Sequence, residues 1–97
     1  MAFVQLMTFR TGNIDTARKL NNDWRQATEG KRTLRREVLA RDSDNPDSYA
    51  VLAYFDSYES AMQNSHLPET EAAAEQFQKL SEEPIGFRNF EIIEGRD

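Results

Sequence analysis

An α+β domain is predicted, with four antiparallel strands in one sheet and the helices together on one of its faces. Three observations support it. Strand and helix patterns follow one another as strand, helix, strand, strand, helix, strand within 97 residues, the order of the split βαβ or ferredoxin-like arrangement, β-α-β-β-α-β. The two middle strands flank DSDNPDS, whose residue types favour a hairpin connection. Finally, the strands are apolar on both sides, as expected when each face of a sheet is covered.

Residues 3–10, FVQLMTFR, carry β-branched and aromatic side chains with no breaker before Thr11 and Gly12, and read as the first strand. Phe3, Met7 and Phe9 are expected on one side and Gln5, Val4 and Leu6 on the other. Asn13 is a good N-cap, and Ile14, Ala17, Leu20, Trp24 and Ala27 recur at helical spacing until Gly30, so a helix is expected over residues 14–29. Its other face, with Asp15, Arg18, Lys19, Asp23 and Arg25, is polar, and the helix packs on one side only. Residues 34–41, LRREVLAR, are ambiguous by period; their place between the Gly30 stop and the turn favours a strand over a helix. Residues 49–55, YAVLAYF, form a third strand, with Tyr49, Val51, Ala53 and Phe55 pointing one way and Ala50, Leu52 and Tyr54 the other.

Asp56 followed by Glu59 has the form of a capping box. Pro68 fits poorly inside a helix but well in the first turn of a new one, which predicts two helical pieces over about residues 57–64 and 68–82. Ala73, Ala74, Phe77 and Leu80 share a face of the second piece, while Glu69 and Glu71 suit the dipole at its start. Pro84 and Gly86 then break the chain before a last strand over residues 87–94, with 95–97 as a frayed end. No linker or repeat interrupts a single domain over residues 1–97. The helices leave one sheet face bare, apolar enough that a second copy is expected to cover it, sheet against sheet.

Hydrophobic residues are 38% and charged residues 30% of the chain, and six Phe, three Tyr and one Trp supply the material of a small core. Cysteine is absent and His occurs once, which excludes disulfides and the usual zinc sets within one chain; no metal is expected. No targeting segment or membrane span is expected, and a cytoplasmic location fits the lack of cysteine. A net charge of -5 disfavours nucleic acid, and the cluster of Lys31, Arg32, Arg35 and Arg36 reads as a solvated strand edge.

The segment YFDSYESAMQNSHLPETEAAAEQF, in which a strand ends at an aromatic pair and an acidic helix start precedes a broken helix, together with the element order, resembles the dimeric α+β barrel superfamily and, within it, antibiotic-biosynthesis-monooxygenase-like (ABM) domains. The resemblance covers nearly the whole chain and implies a homodimeric α+β barrel with one pocket per subunit between helices and sheet. Members include cofactor-independent oxygenases acting on polycyclic phenols, haem-degrading enzymes, quinol oxidases, isomerases and proteins with no assigned activity. The haem-degrading branch is similar only in fold: it looks for Asn in the first strand, Trp on the second helix and a His about three turns later. Here Gln5 and Met7 lie in the strand, the only Trp is in the first helix, and Ala72, Ala73 and Ala74 occupy the His region. Haem, or any other cofactor, is not expected.

Within that frame His66 is the candidate catalytic residue, because imidazole is suited to proton transfer near neutrality and a helix break lets a side chain turn toward a cavity. Capping or solvent exposure is the alternative. Trp24 is a candidate aromatic wall whose indole N–H would serve a ligand, with core packing as the alternative. Tyr54, Tyr58 and Asn64 are candidates for hydrogen bonds to a ligand oxygen, each with a structural role in competition. Arg10 and Arg88 would form an anion-binding pair if they met across adjacent strands. Glu69, Glu71 and Glu75 share a helix surface but make a weak metal site. The expected function is binding of a small aromatic or apolar molecule near Trp24, Tyr54 and His66, with cofactor-free oxidation if the chain is an enzyme. The alternative is a non-catalytic binding, dimerisation or accessory domain whose interior is filled by Trp24, Met62 and Phe77.

Overall fold

A computed structural model describes residues 2–97, Met1 lying outside the described residues. The elements are β1 (Phe3–Arg10), α1 (Ile14–Ala27), β2 (Arg36–Arg41), β3 (Ser48–Phe55), α2 (Tyr58–Ser65), α3 (Pro68–Leu80) and β4 (Gly86–Glu91). One antiparallel sheet has the order β2-β3-β1-β4, the expected arrangement with its second helix in two pieces.

Register assigns the faces. Phe3 pairs with Phe55 and Phe9 with Tyr49 across β1 and β3, Leu39 with Val51 across β2 and β3, and Met7 with Phe87 across β1 and β4. These odd-numbered positions face the helices. Phe9 and Tyr49 pack with Ala17 of α1 and Phe77 of α3, and Phe3 and Phe55 pack with Ala61 of α2. The even-numbered positions, among them Leu6, Val38, Leu52 and Phe90, share the opposite face. None of them belongs to the buried clusters, and Phe90 is 40% exposed.

Local chemistry sets the helix ends. The Asn13 side chain accepts the Thr16 N–H at 3.2 Å, as its N-cap position requires. α1 stops slightly earlier than expected: Thr28 donates both its N–H, at 3.0 Å, and its hydroxyl, at 2.7 Å, to the Trp24 carbonyl. Gly30 follows with φ of 80°, a left-handed conformation that a side chain would disfavour. The expected capping box at Asp56 is not formed. Ser57 is the N-cap of α2 and accepts the Ser60 N–H at 3.1 Å, while Asp56 accepts two bonds from the Arg35 guanidinium, at 3.0 and 2.6 Å. Pro68 opens α3, as expected from its missing N–H. β2 and β4 are shorter than their sequence patterns suggested.

Three of the four residues of the basic cluster act as tethers. Lys31 donates to Glu69 at 2.6 Å, Arg32 to the Arg25 carbonyl at 2.6 Å, and Arg35 to Asp56, so the connection between α1 and β2 is held against its surroundings. The bonds from Arg35 hold the Asp56 carboxyl below the usual carboxylate range, and the Lys31 bond, with the backbone N–H of Glu69, does the same for Glu69. Carboxyls depressed in the folded state contribute stability that is present above their unfolded value of about 4 and lost as pH falls through the folded value. In urea titrations, the fall in stability below about pH 4 is therefore expected to flatten in an Asp56→Asn, Glu69→Gln double variant; an unchanged acid limb would contradict these pairings.

Candidate functional site

The core is divided, and residues of both buried clusters line a cavity of about 480 Å³ between the helices and the sheet, a volume in the range of small-molecule sites. Met7 and Phe9 of β1 and Val51 and Phe55 of β3 make its floor; all are odd-numbered positions, placed there by the sheet register. Ala17, Asn21 and Trp24 of α1 and Thr70, Ala73 and Phe77 of α3 make its roof. Each triplet follows the helical spacing that aligns side chains along one stripe. Leu39 of β2 and Phe87 of β4, 42% and 64% exposed, line it from the two edge strands.

A few polar groups interrupt the apolar wall. The Trp24 indole N–H donates to the Thr70 hydroxyl at 2.9 Å, joining α1 to α3 across the roof. Asn64, 5% exposed at the end of α2, accepts the Thr33 N–H on its Oδ1 at 3.3 Å, and its NH2 has no partner among the described residues. Gln5, expected on the face opposite Phe3, Met7 and Phe9, instead lies with Met7 and Phe9 on the cavity side of β1, because odd positions alternate to one face. Glu37 enters from β2 and accepts the Asn21 amide at 2.6 Å, with the Arg25 guanidinium 3.7 Å from the same oxygen.

Of the residues singled out from sequence, Trp24 and Asn64 line the cavity and Tyr54, Tyr58 and His66 do not. Of the three residues expected around one pocket, Trp24, Tyr54 and His66, Trp24 alone lines this cavity. Tyr54 pairs with Val4 and Arg36 and so points to the face opposite the helices. Tyr58, 53% exposed, packs edge-on against Phe3 with ring centroids 5.7 Å apart. His66 is the exposed C-cap of α2, its backbone N–H bonded to the Met62 carbonyl at 3.0 Å, and it shares a shallow outer depression with Tyr58. The Trp24 N–H expected to serve a ligand is already engaged by Thr70.

Arg10 and Arg88 do not form a pair: Arg88 is level with Leu6 and lies over the Phe90 ring, while Arg10 stands 3.6 Å from Glu82. Among the described residues no three His, Asp or Glu side chains stand together as a metal-binding group. Nor, among them, is any helix long and apolar enough to cross a membrane. Asn21, Glu37 and Thr70 were not anticipated. Their signal was positional: Asn21 interrupts the apolar stripe of α1, and Glu37 shares its strand face with Leu39.

An antiparallel four-stranded sheet carrying helices on one face, with a cavity between the layers, gives the chain the ferredoxin-like α+β fold of ABM-like domains. No family model matches the sequence, and no curated protein does. Among solved structures the chain is similar to Rv0793 from Mycobacterium tuberculosis, with TM-score 0.80, 12% identity and full coverage of both chains. It is also similar to SnoaB, a cofactor-independent oxygenase from Streptomyces nogalater solved as a mutant, with TM-score 0.81, 15% identity, and coverage of 97% of this chain and 95% of that one. A third, from Deinococcus radiodurans and provisionally named an antibiotic biosynthesis monooxygenase, gives TM-score 0.78 and 15% identity over 100% and 97% of the two chains. At these identities the likeness is one of fold.

The bond between Trp24 and Thr70 gives the roof a direct test. Thr70→Val keeps the shape but leaves the indole N–H without its acceptor, and is expected to lower unfolding free energy by about 1–2 kcal/mol. Denaturation followed by fluorescence of Trp24, the only Trp of the chain, would show it, and wild-type stability in this variant would refute the bond.

Proposed function

We propose that this chain is a homodimeric ABM-like domain that binds a planar, mainly apolar molecule between its helices and sheet and promotes its oxidation by dioxygen without a cofactor. The cavity carries the reading. A domain of 97 residues has little apolar material to spare, yet Trp24 and Phe77 line an open space where a purely structural domain would close its core. Met62, also expected as filling, packs against the Phe3 and Phe55 cluster instead. The likeness to a cofactor-independent oxygenase agrees with the chemistry.

In that chemistry the substrate supplies the electrons. A methylene held between aromatic rings loses a proton, its carbanion reduces dioxygen and forms a C–O bond, and the resulting hydroperoxide expels water to leave a carbonyl. The free NH2 of Asn64 and the Thr70 hydroxyl, whose proton is not used by Trp24, suit stabilisation of the substrate oxyanion. The position of His66 outside the cavity favours proton release to water at the cavity mouth. It also favours the second reading, in which the domain binds its ligand and leaves it unchanged.

The bare sheet face supports the dimer, since Leu6, Val38, Leu52 and Phe90 otherwise meet water. Sedimentation at micromolar concentration is expected to give twice the chain mass of 11.2 kDa, and Leu52→Asp to give the single chain; a monomeric wild type would sink the dimer. For the ligand, titration with alizarin, a planar hydroxyanthraquinone, is expected to quench Trp24 saturably, whereas no quenching would end the binding reading. Oxygen uptake with a hydroxyanthrone above the uncatalysed rate then marks an enzyme. Binding without such uptake would leave the non-catalytic domain.

A further inference from the structure

Glu37 stands where a carboxylate has little reason to be if the cavity serves apolar molecules alone. It occupies a helix-facing position of β2, pairing with Ala53, and its side chain is only 18% exposed among walls made largely by Met7, Val51, Phe55 and Phe77. Ionised carboxylates in such surroundings are held by hydrogen bonds. Both of its contacts converge on one oxygen: the Asn21 amide donates to Oε1 at 2.6 Å, and the Arg25 guanidinium lies 3.7 Å from that same atom. The other oxygen, Oε2, accepts no hydrogen bond among the described residues. It is not sealed away either, since no buried side-chain oxygen or nitrogen among them lacks a partner.

We propose that Glu37 is the specificity-determining residue of the cavity, its Oε2 accepting a hydrogen bond from a hydroxyl of the bound molecule. This rests on the ligand-binding reading above and narrows it. The preferred ligand is a neutral, planar, hydroxylated ring system, recognised at one end by a charged acceptor and elsewhere by apolar contact. Asn21 and Arg25 fix the carboxylate from the α1 side, so that its free oxygen does not have to be ordered when the ligand arrives. Hydrogen bonds to an ionised acceptor are the stronger kind. An ether of the same shape leaves that acceptor dry and unpaired, which is the costly outcome.

The test compares β-naphthol with its methyl ether by calorimetric titration of the intact protein. Wild type is expected to bind the naphthol at least about tenfold more tightly than the ether, in line with a charge-assisted hydrogen bond. In Glu37→Gln, whose single side-chain oxygen is claimed by Asn21 and whose NH2 faces the ligand, the two affinities should come within about threefold of each other. A role confined to tying β2 to α1 would weaken both ligands equally and leave no such discrimination. Equal binding of both compounds by wild type would overturn the role of Glu37 while leaving the ligand cavity standing, and so would a preference that persists in Glu37→Gln. Binding of neither compound would remove the ligand cavity and this inference together. Should Glu37→Gln fail to fold, Glu37→Met carries the same expectation: the preference for the naphthol is lost, and its persistence would overturn the role of Glu37.

Discussion

β1 lies inside the sheet and pairs with β3 on one side and β4 on the other, so its register decides which side chains of three strands share a face. With Phe3 opposite Phe55 and Phe9 opposite Tyr49, the large aromatic residues come under the helices, and Leu6, Leu52 and Phe90 are sent to the far side. A slip by one residue would exchange those sets. Phe9 would lose Phe77, and the cavity would lose its floor. The pairing of β2 with β3 extends the same logic, because it turns Glu37 and Leu39 inward together.

The helices complete what the register begins. α1 and α3 are joined by the bond from Trp24 to Thr70, and α3 reaches the sheet through Phe77, which meets Phe9 edge-on with ring centroids 5.7 Å apart. α2 instead rests on Phe3 and Phe55 through Ala61, which is fully buried. The polar ties around the connection from α1 to β2 lie at the surface, where each ion pair contributes little. Their effect is geometric: Thr33 donates its N–H to Asn64 and its hydroxyl to the Ser60 carbonyl, holding that connection against α2 beside the cavity.

Much of this was legible in the residues. Apart from Gln5, the patterns of FVQLMTFR and YAVLAYF separated the two faces, and Asn13 and Pro68 marked helix starts because their demands are local. The capping box at Asp56 failed because Asp56 and Ser57 are both good caps, and only the distant Arg35 decides between them. His66 drew notice through intrinsic chemistry, but the direction of a C-cap side chain is set by how α2 sits on the sheet, which no spacing states. Tyr54 was excludable in principle, since it neighbours Phe55 and must point away from it. Glu37 went unmarked because its strand was the one segment ambiguous by period.

The break at Leu67 and Pro68 gives the two halves of the interior separate owners: the Phe3 and Phe55 cluster depends on α2, and the Phe9 and Tyr49 cluster depends on α3. α3 alone brings Thr70, Ala73 and Phe77 to the cavity. Evolution can therefore resize the chamber by exchanging residues on a single helix, leaving the other anchored, so that new guests are accommodated without renegotiating the scaffold.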